Sequence, residues 1–217
     1  MEFEKYVLDN DRYVQAPELS NRSSTSLLVM LPGIAGQPNS KTLDSILKTL
    51  EYENVDIDVL DVNANFAYYR SRILLERLKA DIVDPALTLG YEKIHFMGVS
   101  LGGYGALLYL REFPDDVTSA MLLAPYLGED DEYVDFVNSA TPVDFSEGNL
   151  WPWLSTLPPQ VNNKIFLAYG LQDDFSALNS KLAEFLDDEH VFTIEGEHRW
   201  TTWLPLWQQL TANNDLW

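Results

Sequence analysis

The stretch KIHFMGVSLGGYGALLYLRE, residues 93 to 112, runs an apolar strand-type segment straight into a helix-type pattern with no loop between them. Four of the chain's 11 glycines fall within positions 98 to 105, around a single hydroxyl, Ser100. Glycine weakens helices and strands alike, so a cluster at such a junction marks backbone approaching closer than side chains allow. A sharp strand-to-helix turn that lifts one serine above a sheet meets that description. Gly98 and Gly102, two positions either side, leave room for the turn, while Gly103, Gly105 and Ala106 let the helix lie close on the sheet.

The rest of the chain supplies the sheet. Strand patterns occur at SLLVML (26–31), VDIDVLD (55–61), KIHFMGV (93–99), SAMLLA (119–124), KIFLAY (164–169) and HVFTIE (190–195). Helical patterns fill the gaps at about 40–51, 68–80, 101–112, 177–187 and 201–212. This alternation predicts an α/β fold with a mostly parallel sheet and helices on both faces. FEKYVLD and DRYVQA flank Asn10-Asp11 and read as an antiparallel hairpin at one sheet edge, which brings the expected strand number to eight. In the last helix Trp203, Leu206, Trp207 and Leu210 share one face at i, i+3, i+4 and i+7.

At 217 residues with 46% apolar content the chain reads as one domain, 1–217, able to bury its own core. The segment at about 128–160 is far longer than the ~2–6 residues of an ordinary βα connection. Its place after a sheet strand predicts a lid or substrate-binding insertion. The absence of cysteine excludes disulfides, thiolate metal sites and a cysteine nucleophile. Thirty-four acids against fourteen bases, a formal charge of −20, disfavour nucleic acid and anionic membranes as partners. The N-terminus lacks the basic start and apolar core of a signal peptide, and no run approaches the ~18 apolar residues of a membrane span, so a cytoplasmic location is expected. Oligomeric state is left open.

Residues 98 to 102 spell G-x-S-x-G. Chance supplies one such match with a probability of roughly 0.05–0.1 in a chain this long, and few would fall at a strand-to-helix junction. GVSLGGYG does not read G-x-G-x-x-G, which argues against a dinucleotide site. A serine nucleophile needs a base oriented by a carboxylate. Of the three histidines, His95 and His190 lie in or at the start of strands and read as structural, whereas His198 sits in a loop after the last strand, in EGEHRW. The loop YGLQDDF after the preceding strand offers Asp173 and Asp174, with Asp173 preferred.

Serine, aspartate and histidine in this order, after the fifth, seventh and eighth strands, resemble the α/β-hydrolase superfamily. Within it, GVSLGGYGALLY, YGLQDDF and GEHRWTTWLPLW are similar to the esterase D-type branch, which includes S-formylglutathione hydrolases, feruloyl esterases and mycolyltransferases. The resemblance implies Ser100 as nucleophile, His198 as general base and then acid, and Asp173 as the orienting carboxylate. Members often carry His-Gly after the third strand, where this chain has Pro32-Gly33. The oxyanion donors are therefore expected at the Ile34 N–H, with Ala35 beside it, and at the Leu101 N–H.

The expected activity is hydrolysis of a small-molecule carboxylic ester through an acyl-enzyme, with no cofactor and no metal. Tyr126, Trp151 and Trp153, with Leu127, are candidates for an apolar substrate wall. The same machinery would serve a thioesterase, an amidase or an acyltransferase. A hydrolase-fold binding module without turnover is the alternative from another class.

Overall fold

The computed structural model describes residues 2–9, 12–16, 22–128, 149–213 and 216–217, with side chains from residue 22 onward. Eight strands form one sheet in the order β2-β1-β4-β3-β5-β6-β7-β8. They are β1 (Glu2–Asp9), β2 (Arg12–Ala16), β3 (Ser26–Leu31), β4 (Asp58–Asn63), β5 (Lys93–Val99), β6 (Ser119–Leu123), β7 (Ile165–Gly170) and β8 (Val191–Ile194). The six from β4 to β8 in that order are parallel. The hairpin β1–β2 pairs antiparallel onto β4, as the sequence pattern predicts. Its turn at Asn10-Asp11 lies outside the described residues, as do positions 129–148 of the expected insertion.

Helices cover both faces for a topological reason. The connection from β3 to β4 runs through α1 (Ser40–Tyr52), and the chain then steps back across β3 to β5. That return passes through α2 (Phe66–Arg70), α3 (Leu74–Leu78), a π-turn at 79–83 and α4 (Asp84–Thr88). Right-handed crossovers in opposite directions put these helices on opposite faces. α5 (Leu101–Glu112) and α8 (Ser176–Ala183) move in the second direction and share the face of α2–α4. The last helix, α9 (Trp200–Thr211), packs beside α1 on the other face, where the Trp207 indole donates to the Ile46 carbonyl at 3.2 Å. Two short helices, α6 (Trp151–Leu154) and α7 (Pro159–Asn162), precede β7.

Periodicity drives these placements. Leu43, Ile46, Leu47 and Leu50 form the buried face of α1, whose first turn is capped by the Asn39 carboxamide accepting from Thr42 N–H at 3.1 Å. Trp203, Leu206, Trp207 and Leu210 are buried on α9. The central strands are buried on both faces, which is why they read as unbroken apolar runs. No helix among the described residues is long and apolar enough to cross a membrane.

Three elements differ from expectation by more than two residues at an end. β4 begins at Asp58, not Val55, because Asn54 adopts a left-handed φ of 54° and the Val55 N–H closes α1 on the Leu50 carbonyl at 3.0 Å. The helix expected at 68–80 is a broken series from 66 to 88. Arg72, at φ 56°, ends its first turn; further on, Asp84 N–H reaches five residues back to the Lys79 carbonyl, and Pro85 has no N–H to give the next ladder bond. The helix expected at 177–187 ends at Ala183, after which Phe185 and Leu186 donate three residues back in a tightened turn.

Candidate active site

All six parallel strands present their carboxyl ends at one edge, and the direction in which successive strands are added to the sheet reverses between β3 and β5. Such a switch point opens a crevice outside the strand ends. Ser100 stands there, directly after β5, with φ 53° and ψ −115°. That conformation costs a residue with a side chain about 1–3 kcal/mol and persists only where surroundings enforce it. Here the Ser100 N–H donates to the Leu123 carbonyl at 2.9 Å. Its own carbonyl accepts from Gly103, Tyr126 and Tyr104 N–H groups at 2.9, 3.0 and 3.3 Å.

The glycines permit this turn. A Cβ on Gly98 would collide with the Gly102 and Gly103 backbone, and one on Gly102 with the Leu31 and Pro32 carbonyls. Gly103 packs against Pro125. Gly105 differs from expectation: it faces Tyr69 and Leu74, across the helix layer and away from the sheet.

The Ser100 hydroxyl lies 3.0 Å from His198 Nε2. On the other side of the ring, Nδ1 is 2.8 and 2.9 Å from the two carboxylate oxygens of Asp173. The Asp173 carboxylate is fully buried and also accepts from Phe175 N–H at 2.9 Å. Asp174 is exposed. The His198 side chain is 22% exposed, and its ring is held edge-to-face between Phe175 at 4.9 Å and Trp203 at 4.7 Å. Sequence reasoning assigned neither residue a place here. Phe175 is legible only as the residue two beyond the acid, and Trp203 reads as a core position of α9.

Two loops, one carrying the acid and one the histidine, are stitched together by Gln172. Its carbonyl oxygen accepts from Gly196 N–H at 2.5 Å, its amide donates to Glu195, and its backbone N–H donates to the Gly196 carbonyl at 3.0 Å. On the far side, the loop after β3 passes close to Ser100. A Cβ on Gly33 would lie 3.5 Å from the Ser100 Cβ. A turn over 33–36 is closed by Gly36 N–H on the Gly33 carbonyl at 3.0 Å, with Ile34 and Ala35 at its centre and the Ile34 side chain 68% exposed. Leu101 N–H opens α5, where the helix offers it no acceptor.

The aromatic candidates divide. Tyr126 stands at the site, its ring edge-on to Phe175 at 5.6 Å and to Tyr104 at 5.8 Å. Trp153 is half-buried against the core. Trp151 is 0% exposed and belongs to the core itself, which corrects its expected place on a substrate wall. In α6, Trp151 and Leu154 are three apart and both point inward, so the first tryptophan is consumed by packing. Leu127 is buried as well. His95 is fully buried, with Nδ1 2.8 Å from the Ser119 hydroxyl, and His190 stacks on Phe166 at 4.3 Å. Among the described residues no group of three His, Cys, Asp or Glu could hold a metal ion.

Comparison with known proteins gives the fold its place. The sequence matches the alpha/beta hydrolase fold family over residues 26–188. No curated protein sequence matches the chain. Est1E from Butyrivibrio proteoclasticus with ferulic acid bound is similar with a TM-score of 0.61 at 16% identity, covering 97% of this chain and 92% of that one. The fluorophosphonate-binding serine hydrolase FphF of Staphylococcus aureus is similar with a TM-score of 0.60 at 16% identity, over 95% and 88%. The S-formylglutathione hydrolase FrmB of Staphylococcus aureus follows at 0.59 and 15%, over 87% and 80%. At such identities the likeness is one of fold. With three quarters of its length matched by the family, the chain belongs to the alpha/beta hydrolase fold family.

Proposed function

We propose that the protein is a serine hydrolase that cleaves a small-molecule carboxylic ester through an acyl-enzyme. The observation that carries this reading is the unbroken series from Ser100 Oγ to His198 Nε2 at 3.0 Å and from Nδ1 to a buried Asp173 carboxylate at 2.8 Å.

Ser100 Oγ attacks the ester carbonyl carbon while its proton passes to His198 Nε2. Asp173, accepting from Nδ1–H, fixes the ring's tautomer and stabilises the imidazolium. The carbonyl oxygen gains the negative charge and rests between the Leu101 and Ile34 N–H groups, helped by the positive end of α5. Collapse breaks the bond to the alcohol oxygen, which takes the proton from Nε2. Water then adds by the same route, releasing the carboxylic acid and restoring the serine. Tyr126 and Phe175 supply apolar surface beside the reacting carbonyl.

The likeness to a fluorophosphonate-binding serine hydrolase supports the choice of probe. Intact-mass measurement after exposure to a fluorophosphonate should show one adduct on the wild type and none on Ser100→Ala or His198→Ala. A folded wild type that takes no adduct and turns over no ester would favour a binding module. Relative rates on matched esters, thioesters and amides, with and without added alcohol, separate the esterase from its thioesterase and acyltransferase counterparts.

A further inference from the structure

Asn179 is 0% exposed within α8, on the same buried face as Leu178 and Leu182. Asparagine is a poor helix former and is mostly found at surfaces, so a fully buried one is explained by what it bonds. Its Nδ2 donates to the Phe175 carbonyl at 2.7 Å, four residues back. The same nitrogen donates to the Pro125 carbonyl at 3.2 Å, 54 residues away along the chain. Two carbonyls on one side require the amide nitrogen there, because Oδ1 could only accept. Oδ1 is buried and meets no donor among the described residues, so the side chain acts here as a donor.

The two carbonyls belong to turns on either side of the candidate site. Phe175 lies in the turn after β7 that carries the acid, and its N–H donates to the Asp173 carboxylate at 2.9 Å. Pro125 lies in the turn after β6, against the nucleophile's own turn. There Tyr126 N–H donates to the Ser100 carbonyl at 3.0 Å, and a Cβ on Gly103 would lie 2.7 Å from the Pro125 Cβ. This second turn is strained, since Ala124 has a φ of 45°, in the left-handed region that alanine rarely occupies. Strain of that kind persists only where the surroundings over-determine it, and Asn179 holds the carbonyl of the very next residue. Across the same seam the Tyr126 and Phe175 rings meet edge-on at 5.6 Å.

We propose that Asn179 is a positioning residue: its carboxamide pins the turn after β6 to the turn after β7 and so fixes Ser100 relative to Asp173 and His198. The catalytic consequence rests on the hydrolase reading; the brace itself does not. Asn179 acts through Pro125 and Tyr126 on one side and through Phe175 on the other. Gln172 ties the acid loop to the histidine loop, and Asn179 ties it to the serine turn, so the acid loop braces both of its partners. A displacement of about 1 Å between reacting groups costs on the order of 10²-fold in rate, which makes such a brace visible in kcat.

The test pairs steady-state kinetics with amide hydrogen exchange followed by NMR, which needs no turnover. Asn179→Leu is close in volume but has no donor. It should speed exchange at the Tyr126 and Phe175 amides about tenfold or more beyond any change at Leu122 in β6 and Leu167 in β7. Its kcat on a chromogenic ester should fall roughly 10–100-fold with KM within about threefold. Asn179→Ser keeps a hydroxyl that can donate four residues back but falls short of Pro125, so it should behave alike and isolate the bond between the turns. Leu182→Ala opens a cavity on the same helix. It should lower the melting temperature without singling out these two amides, and with kcat within about threefold of wild type. Unchanged exchange at Tyr126 and Phe175, wild-type kcat despite faster exchange, or the same selective changes in Leu182→Ala overturns the proposal. A wild type that neither takes a fluorophosphonate nor cleaves an ester, with the exchange contrast intact, keeps the brace and overturns the hydrolase reading alone.

Discussion

His198 Nδ1 lies 2.8 Å from one carboxylate oxygen of Asp173 and 2.9 Å from the other, while the next residue, Asp174, faces solvent. Asp173→Asn should therefore lower kcat for ester hydrolysis by roughly 10⁴, because an amide favours the wrong imidazole tautomer. Asp174→Asn should stay within about twofold of wild type. Steady-state kinetics on a chromogenic ester decides it, and equal losses in both variants would displace Asp173 from its role.

Gln172 touches neither the serine nor the imidazole, but it ties the histidine loop to the acid loop through Glu195 and Gly196. Gln172→Ala should reduce kcat by roughly 10–100-fold, the scale of a small misplacement of reacting groups, with KM little changed. A parallel rise in KM at constant kcat would mean that the clasp shapes substrate binding.

Gly102→Ala places a methyl group against the Leu31 and Pro32 carbonyls, both backbone atoms with nowhere to move. Overpacking of this kind costs about 1–3 kcal/mol. The variant should show a lower denaturation midpoint together with lost fluorophosphonate labelling. Full labelling at wild-type stability would show that the turn tolerates a side chain.

His95 carries a pH dependence unrelated to catalysis. Burial, reinforced by Lys93, lowers its pKa from 6.5 to about 4, and its Nε2 has no hydrogen-bond partner. Between those values the unfolded chain binds a proton that the folded protein refuses. Stability is thus fully present above about pH 6.5 and falls as pH drops toward 4, by about 3 kcal/mol over the window. His95→Asn should lose less stability than wild type between pH 7 and 4 in urea melts. Identical losses would place the acid sensitivity in other groups.

Much of this molecule is written locally. β3, β5 and α5 begin and end where the residues 26–31, 93–99 and 101–112 say they should, because unbroken apolar runs and a glycine-marked junction are properties of neighbouring residues. The same holds for the buried face of α9 and for Ser100, whose strained turn needs glycines two positions away on either side. His198 is separable from His95 and His190 by sequence alone, since only it lies in a loop beyond a strand end.

What the sequence left open depends on contacts between distant segments. Asp173 and Asp174 are chemically equal neighbours, and the turn after β7, closed by Asp173 N–H on the Gly170 carbonyl, sends one inward and the other out. Trp151 reads as a pocket wall until α6 is packed, after which it is core. Phe175, in the loop after β7, and Trp203, on α9, come from distant segments and meet only across His198. Sequence determined the sheet, the serine turn and the chemistry it could host. Tertiary packing decided which acid and which aromatic rings accompany it, because burial and distance belong to pairs of segments and not to either one.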